Sequence, residues 1–301
     1  TYEECIAYIQ EYMTLAAQYL PLERENESLI TLPTRWAAIA NLSRMTLYAA
    51  SPWYNGNKFY SDWTRASDGQ HFIPQDGVNS KWGIAAAYSK YIIEKGPFEL
   101  YTSVKESDTP TLPAGITSDP NYYNSYPNGA GDIDHYRSFT YLFNGELPVT
   151  LNKEIILSCK PASWTDSPLW IASPYFLGGG NGLNLTHDLT TAFYMNNGLD
   201  INDPGSGYPS NNEAHEQIGG SNQDFSGYTI SNQAAKMYNN RETRFYATIG
   251  FCHGFWPGTS YTGTDGSLKN SVVTYYSNGN GGPNPSFPAD YNHTGYTCKN
   301  T

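Results

Sequence analysis

Apolar positions near the start of the chain recur every three or four residues. Tyr2, Cys5, Ile6, Ile9, Met13, Ala16, Ala17 and Leu20 form one stripe of an amphipathic helix. Thr1-x-x-Glu4 is a capping-box pattern that satisfies orphan amide donors in both directions, and Pro21 stops the helix. A second helix is predicted from Thr34 to Ala50, after Pro33, with Trp36, Ile39, Ala40, Ser43, Leu47 and Ala50 facing one way. Its alanines at 37, 38, 40, 49 and 50 leave little side chain between it and a neighbour, so backbones can approach closely. A third helix spans Ser80 to Glu94, with Trp82, Ala85, Ala86, Ser89, Ile92 and Ile93 inward and Gly96-Pro97 as its stop. Three Ala-rich amphipathic helices predict hairpin packing, although no strict 34-residue period marks a tandem repeat.

Beyond residue 100 this periodicity is lost. Residues 106–135, 161–183, 200–233 and 256–301 are dense in turn formers and aromatics. Between them the pattern predicts a strand over Glu154–Cys159 and a helix near Thr186–Tyr194, with Leu185, Leu189 and Phe193 in register. It predicts a further strand over Thr243–Phe251, where Phe245, Ala247, Ile249 and Phe251 alternate with Arg244, Tyr246 and Thr248. A last strand is expected at Val272–Tyr276. Loops longer than about 15 residues are uncommon in compact domains, and disordered segments are poor in aromatics. These loops, which carry three of the seven tryptophans and many of the tyrosines, therefore read as ordered and stacked on one another. Residues 45–57, MTLYAASPWYNGN, show the change in miniature: a small-residue helix ends at Ser51-Pro52 and hands over to rings beside amides.

Composition sharpens the picture. Of 301 residues, 17 are Lys or Arg and 28 Asp or Glu, a formal charge of −11 that works against nucleic acid or anionic lipid as main partner. Only 15% of residues are charged, where about 25% is ordinary. Amides, glycine, proline, 26 Tyr and 7 Trp take their place. Uncharged polar groups with flat rings suit a neutral, hydroxyl-rich ligand; they suit equally a protein whose long Tyr-rich loops plug themselves. The four cysteines sit in no metal-binding spacing. Cys5 and Cys159 are expected as buried free thiols, and a Cys252–Cys298 bridge stays open, since sequence carries no Cα distances. No apolar run reaches the 18 or so residues of a membrane span. The opening TYEEC lacks the basic and apolar regions of a signal peptide, and a chain opening directly on a helix leads us to expect something upstream. Of four N-x-S/T sequons, at Asn26, Asn41, Asn184 and Asn292, the second lies mid-helix and reads as chance.

No nucleophile elbow, P-loop, zincin motif or complete EF-hand loop occurs. No cofactor is expected. Asp132-x-Asp134-His135 and Asp265-Gly266-Ser267 have oxygens for a calcium ion but lack its full ligand ladder. Acid–base catalysis on a sugar needs two carboxylates about 5–10 Å apart. Asp132, Asp134, Glu154, Asp166, Asp188 and Glu242 are candidates, with structural ion pairs the duller role for Glu154 and Glu242. Stacking chemistry is better supplied, because sugar rings pack C–H faces on indole and phenol while hydroxyls bond to amides and carboxylates. Trp164 with Asp166, Trp170 with Tyr175 and Asn181, and Tyr122, Tyr123, Asn124 and Tyr126 match that description. Each ring has the alternative role of filling its own loop.

These segments also form a series. LPTRWAAIANLSRMTLYAASPWYN resembles the SusD/RagB family of outer-membrane nutrient-binding lipoproteins, whose helix ends in LYAASP, an aromatic or aliphatic residue, and Asn. TYEECIAYI is similar to the helix before it and KWGIAAAYSKYII to the helix after it. NKEIILS, LTHDLTTAFYMNNGLDI, NRETRFYATI and TGYTCKN follow in the family's order, seven matches across nearly the whole chain. Thr243 replaces the usual proline before Arg244, and Cys298-Lys299-Asn300 replaces the closing basic pair. The resemblance implies a mainly α fold: a scaffold of tetratricopeptide-like helical hairpins with a large loop-rich ligand-binding region carrying short strands. Residues 1–301 are then one SusD-like domain fragment, with 1–100 as scaffold and 101–301 as the loop-rich portion. The family's N-terminal lipidated cysteine, first helical repeats and C-terminal helix are expected outside this chain. It implies no catalysis, and cell-surface capture of glycan for a partner TonB-dependent, SusC-like transporter in the outer membrane. Peptide or another nutrient as ligand, and a glycoside hydrolase, remain the alternatives. On this reading Trp53 is a structural signature, and the expected ligand contacts are Trp164, Asp166, Trp170, Tyr175, Asn181 and Tyr126.

Overall fold

A computed structural model describes residues 1–26, 29–112, 119–159, 171–257, 270–283 and 291–299. The chain forms two compact units, Thr1–Leu100 with Thr150–Lys160, and Tyr101–Val149 with Pro161–Thr301.

The first unit is built on helices α1 (Tyr2–Tyr19), α2 (Arg35–Ala50) and α3 (Ser80–Lys95). The capping box predicted at Thr1 is present, its hydroxyl accepting from Glu4 N at 3.3 Å. α2 packs against both of the others and buries Trp36, Ala37, Ala38, Ile39, Leu42, Thr46, Ala49 and Ala50. α3 buries only Ala85, and α1 buries no residue. A middle helix is covered from two sides, whereas its neighbours are covered from one. The alanines do what their size suggests, and close approach of α2 and α3 leaves Ser43 Oγ 2.7 Å from Ser89 Oγ.

Two expectations fail in this unit. Cys5 and Cys159 are exposed, because their face of α1 and the 150–159 segment are not core. The strand expected over Glu154–Cys159 does not form. Asn152 Oδ1 accepts from Glu154 N at 3.0 Å, Ile156 O accepts from Arg24 at 3.0 Å, and Ser158 Oγ donates to Ile30 O. Side chains engage this segment where a strand would need a neighbouring strand.

In the second unit the described elements are short: β1 (Ser103–Val104), α4 (Pro120–Tyr123), β2 (Ile133–Asp134), α5 (His135–Thr140), α6 (His187–Thr191), β3 (Gln223–Phe225), β4 (Tyr228–Ile230), α7 (Thr243–Thr248), β5 (Ile249–Phe251), β6 (Gly254–Trp256), β7 (Ser271–Val273) and β8 (Tyr296–Cys298). The strands pair as four antiparallel ribbons, β1–β2, β3–β4, β5–β8 and β6–β7. Their shared core is aromatic. Tyr228, Phe245, Tyr246, Phe251 and Phe255 are buried together, with Tyr238 stacked 4.2 Å from Phe251 and Phe255 edge-on to Tyr228 at 5.3 Å.

The strand expected over Thr243–Phe251 is a helical turn followed by β5. Phe245, Tyr246 and Ala247 are all buried, so the segment has no solvent face to alternate with. α6 is shorter than predicted, and Thr186 caps it. The Cys252–Cys298 bridge, left open by the sequence, does not form. Cys298 lies opposite Ile249, while Cys252 follows Phe251 at the other end of the ribbon.

Candidate functional site

Three exposed tyrosines of the second unit gather on one compact loop between β1 and β2. Asp119 starts it, its carboxylate accepting from Asn121 N at 2.9 Å. Ala130 N donates to Tyr122 O at 2.7 Å and Gly131 N to Asn124 O at 3.0 Å, folding the loop back on α4. A Cβ at Gly131 would lie 1.9 Å from Tyr123 O, so only glycine permits this approach. Asp132 Oδ1 accepts from Tyr126 N at 2.9 Å, and that bond holds the Asp132 carboxyl below the usual carboxylate range. The Tyr126–Pro127 peptide is cis. Tyr122, Tyr123 and Tyr126 are each roughly half exposed.

Asp134 anchors the end of this loop. It is fully buried, accepting from Arg137 N at 2.8 Å, from the Thr109 and Ser226 hydroxyls at 2.7 Å each, and from Arg137 Nη1 at 3.1 Å. Arg137 also grips both oxygens of Asp108, at 3.1 and 2.9 Å, and holds that carboxyl below its ordinary range. Asp134 is therefore a structural counter-ion within a satisfied network, not an oxygen waiting for calcium or an acid waiting for substrate. Glu242 has similar duties, accepting from Tyr194 N and Arg244. Among the described residues no group of three or more His, Cys, Asp or Glu side chains is placed to hold a metal. Asp265, Gly266 and Ser267 lie outside them.

The second predicted cluster is described in part. Trp164, Asp166 and Trp170 lie outside the described residues. Tyr175 is half-buried at the start of a 3-10 turn, Tyr175–Leu177, that closes on Gly178 at φ +81°. Asn181 is fully buried in the left-handed region at φ +52°. Its Oδ1 accepts from Tyr175 N and its Nδ2 donates to Gly282 O, both at 3.2 Å. The amide expected to meet ligand instead shapes the loop that presents Tyr175. The sequence signal for a turn here is the Asn181-Gly182 dipeptide.

The closing motifs have structural explanations too. Arg241, in NRETRFY, is buried over the Phe245 ring, 4.6 Å from its centroid, and donates to the carbonyls of Met237, Thr190 and Phe193. Lys299, in TGYTCKN, donates to Phe255 O at 2.6 Å, Tyr246 O at 3.1 Å and Tyr228 Oη at 3.4 Å. Burial pushes its ammonium down to about 7 against those three acceptors. In the first unit, Trp53 is 65% exposed rather than packed beneath the loop it opens.

The family model that matches is that of the SusD family, over residues 154–301. Among solved structures, BT4246 shares 24% identity with a TM-score of 0.64, over 99% of this chain and 49% of that one. Its selenomethionine form shares 22%, with a TM-score of 0.63, over 99% and 50%. A SusD-like protein (BF3747) from Bacteroides fragilis NCTC 9343 shares 17%, with a TM-score of 0.52, over 99% and 42%. No curated protein sequence matches. The chain thus spans about half the length of the solved structures it resembles. Residues 154–301 match the sequence model of the SusD family and nearly the whole chain has the fold of these structures, so the chain is similar to the SusD/RagB family.

Proposed function

We propose that the protein is a non-catalytic, cell-surface binder of neutral oligo- or polysaccharide, serving uptake through a SusC-like TonB-dependent transporter in the outer membrane. The observation that carries this reading is the SusD family match over residues 154–301. The exposed phenols on the Tyr122–Tyr126 loop support it, since they are rings on a backbone that glycine contacts and Asp132 hold in place. Stacking of such rings on sugar C–H faces needs little rearrangement, which keeps the entropic cost of binding low. In this reading Tyr126, Tyr175, Trp164 and Trp170 stack on the ligand and Asp166 accepts from its hydroxyls, while Asn181 frames Tyr175. The helices of the first unit serve as tetratricopeptide-like scaffold.

Calorimetric titration against a panel of neutral oligosaccharides tests the reading, repeated with Tyr126→Ala and Trp170→Ala. Loss of a stacking ring is expected to weaken binding by about 1–3 kcal/mol, the range for base–aromatic stacking. Release of shorter sugars during incubation would favour a hydrolase. Silence across the sugars with binding of peptide would move the ligand class.

A further inference from the structure

We infer that residues 51–72 of the first unit form a separate carbohydrate-binding platform, a strip of exposed rings for a neutral pyranose chain. It shares only its ligand class with the proposed function and uses other residues in the other unit.

The strip begins where α2 stops. Asn55 and Asn57 spend their amides on the loop itself: Asn55 bonds Val78 through both its backbone N and O, and Asn57 donates to Trp53 O and accepts from Phe59 N at 2.9 Å. Gly56, at φ +85°, lets its backbone pass Gly77, where a Cβ would lie 2.8 Å from Gly77 N. A small hairpin follows, with Arg65 N bonded to Gln70 O at 2.8 Å and Phe72 N to Trp63 O at 3.0 Å. Arg65 clips it, pairing with Asp68 and with Glu4 of α1. The rings ride on this frame in an unbroken series. Phe59 lies 5.1 Å from Tyr60, Tyr60 6.0 Å from Trp63, and Trp63 5.0 Å from Phe72. Phe59 is 84% and Trp63 55% exposed.

Three features select the occupant. From Ser51 to Phe72 there are six Phe, Tyr or Trp residues and no Leu, Ile, Val or Met, whereas a lipid- or protein-binding face of this size would mix rings with aliphatics. Lys58 and Arg65 balance Asp62 and Asp68, so the strip has no net charge with which to prefer nucleic acid or anionic lipid. The exposed carboxylate of Asp62 adjoins Trp63 and has no hydrogen bond or ion pair among the described residues, leaving it to accept from hydroxyls beside the indole face. Fixed rings, zero charge and an open acceptor fit a neutral sugar chain.

Affinity electrophoresis through gels containing starch, xylan, β-1,3-glucan or α-mannan provides the test. The comparison is between the unaltered protein, Trp63→Ala, Phe59→Ala and Tyr126→Ala, with far-UV circular dichroism confirming the fold. The expected result is retardation by at least one polysaccharide that falls about tenfold in Trp63→Ala, with a smaller loss in Phe59→Ala. Tyr126→Ala should leave that component standing. Retardation lost in Tyr126→Ala but unchanged in Trp63→Ala and Phe59→Ala would overturn the platform and leave the proposed function intact. No retardation by any of the four would overturn the platform as well. Sedimentation showing a dimer that Trp63→Ala dissociates would overturn it in favour of an interface between copies of this chain.

Discussion

The two units solve the burial problem in opposite ways. The first closes three helices through small residues, so that Ala37, Ala38, Ala49, Ala50 and Ala85 are core beside Trp36, Ile39 and Leu42, while Tyr8, Tyr12, Tyr19, Phe59 and Trp63 face solvent. The second has almost no regular structure to organise and holds its short elements on Tyr228, Phe245, Tyr246, Phe251 and Phe255. Alanine is thus prominent in the core of one unit and aromatic rings in the core of the other. Where backbone hydrogen bonds come from long helices, close approach is enough. Where they come from two- and three-residue ribbons, bulky rings must supply the burial.

The largest consequence expected is alkaline sensitivity concentrated in the second unit. Burial holds the phenols of Tyr136, Tyr228, Tyr238, Tyr246 and Tyr275 well above the ordinary value of 10. The folded state then keeps protons that the unfolded chain releases, so this stability is complete below pH 10 and declines as pH rises beyond it. Lys299 acts in the other direction. Its depressed value means the unfolded chain binds the extra proton between about 7 and 10.5, so stability from this group rises with pH across that window. Near-UV circular dichroism should fade above pH 10, while the far-UV signal of α1–α3 fades later. Simultaneous loss of both signals would erase the contrast between the units.

Single substitutions sharpen the contrast further. Phe251→Ala, a deletion in the ring cluster, should cost about 3–5 kcal/mol by urea denaturation. Arg241→Met should cost about 3 kcal/mol, because three carbonyls lose their donor in a buried site. In the first unit the damaging change is addition rather than deletion: Ala85→Leu should cost about 1–3 kcal/mol by forcing α2 and α3 apart. Phe59→Ala should lie within about 0.5 kcal/mol of the unaltered protein. A large loss there would mean that the ring is packing, not display.

The helices were legible because their signals are local. Apolar recurrence, the Thr1–Glu4 cap and Gly96-Pro97 mark α1 to α3 within a residue or so at each end. The second unit was legible only as texture. Phe245, Ala247, Ile249 and Phe251 alternate like a strand, yet the intervening Tyr246 is also buried, and a two-state pattern has no symbol for a segment enclosed on every side. Glu154–Cys159 reads as a strand by composition, but a strand exists only if another lies beside it. The tyrosines of the Tyr122–Tyr126 loop were visible as candidates, whereas Asn181 has the same amide whether it meets a sugar or Gly282 O. Trp53, Phe59 and Trp63 were in plain view as rings, and their exposure was not.

By itself the sequence determined where the helices run, that the chain is poor in charge and rich in rings, and which family its motifs resemble. Those properties depend on residue type and near-neighbour spacing. Tertiary structure decided which rings are buried and which are offered to solvent, and which carboxylates are already satisfied. It also decided that Asn181 faces inward and that Cys252 and Cys298 stay apart. Each of these depends on what residues distant in the chain occupy the space beside a side chain, and spacing along the chain does not encode that distance.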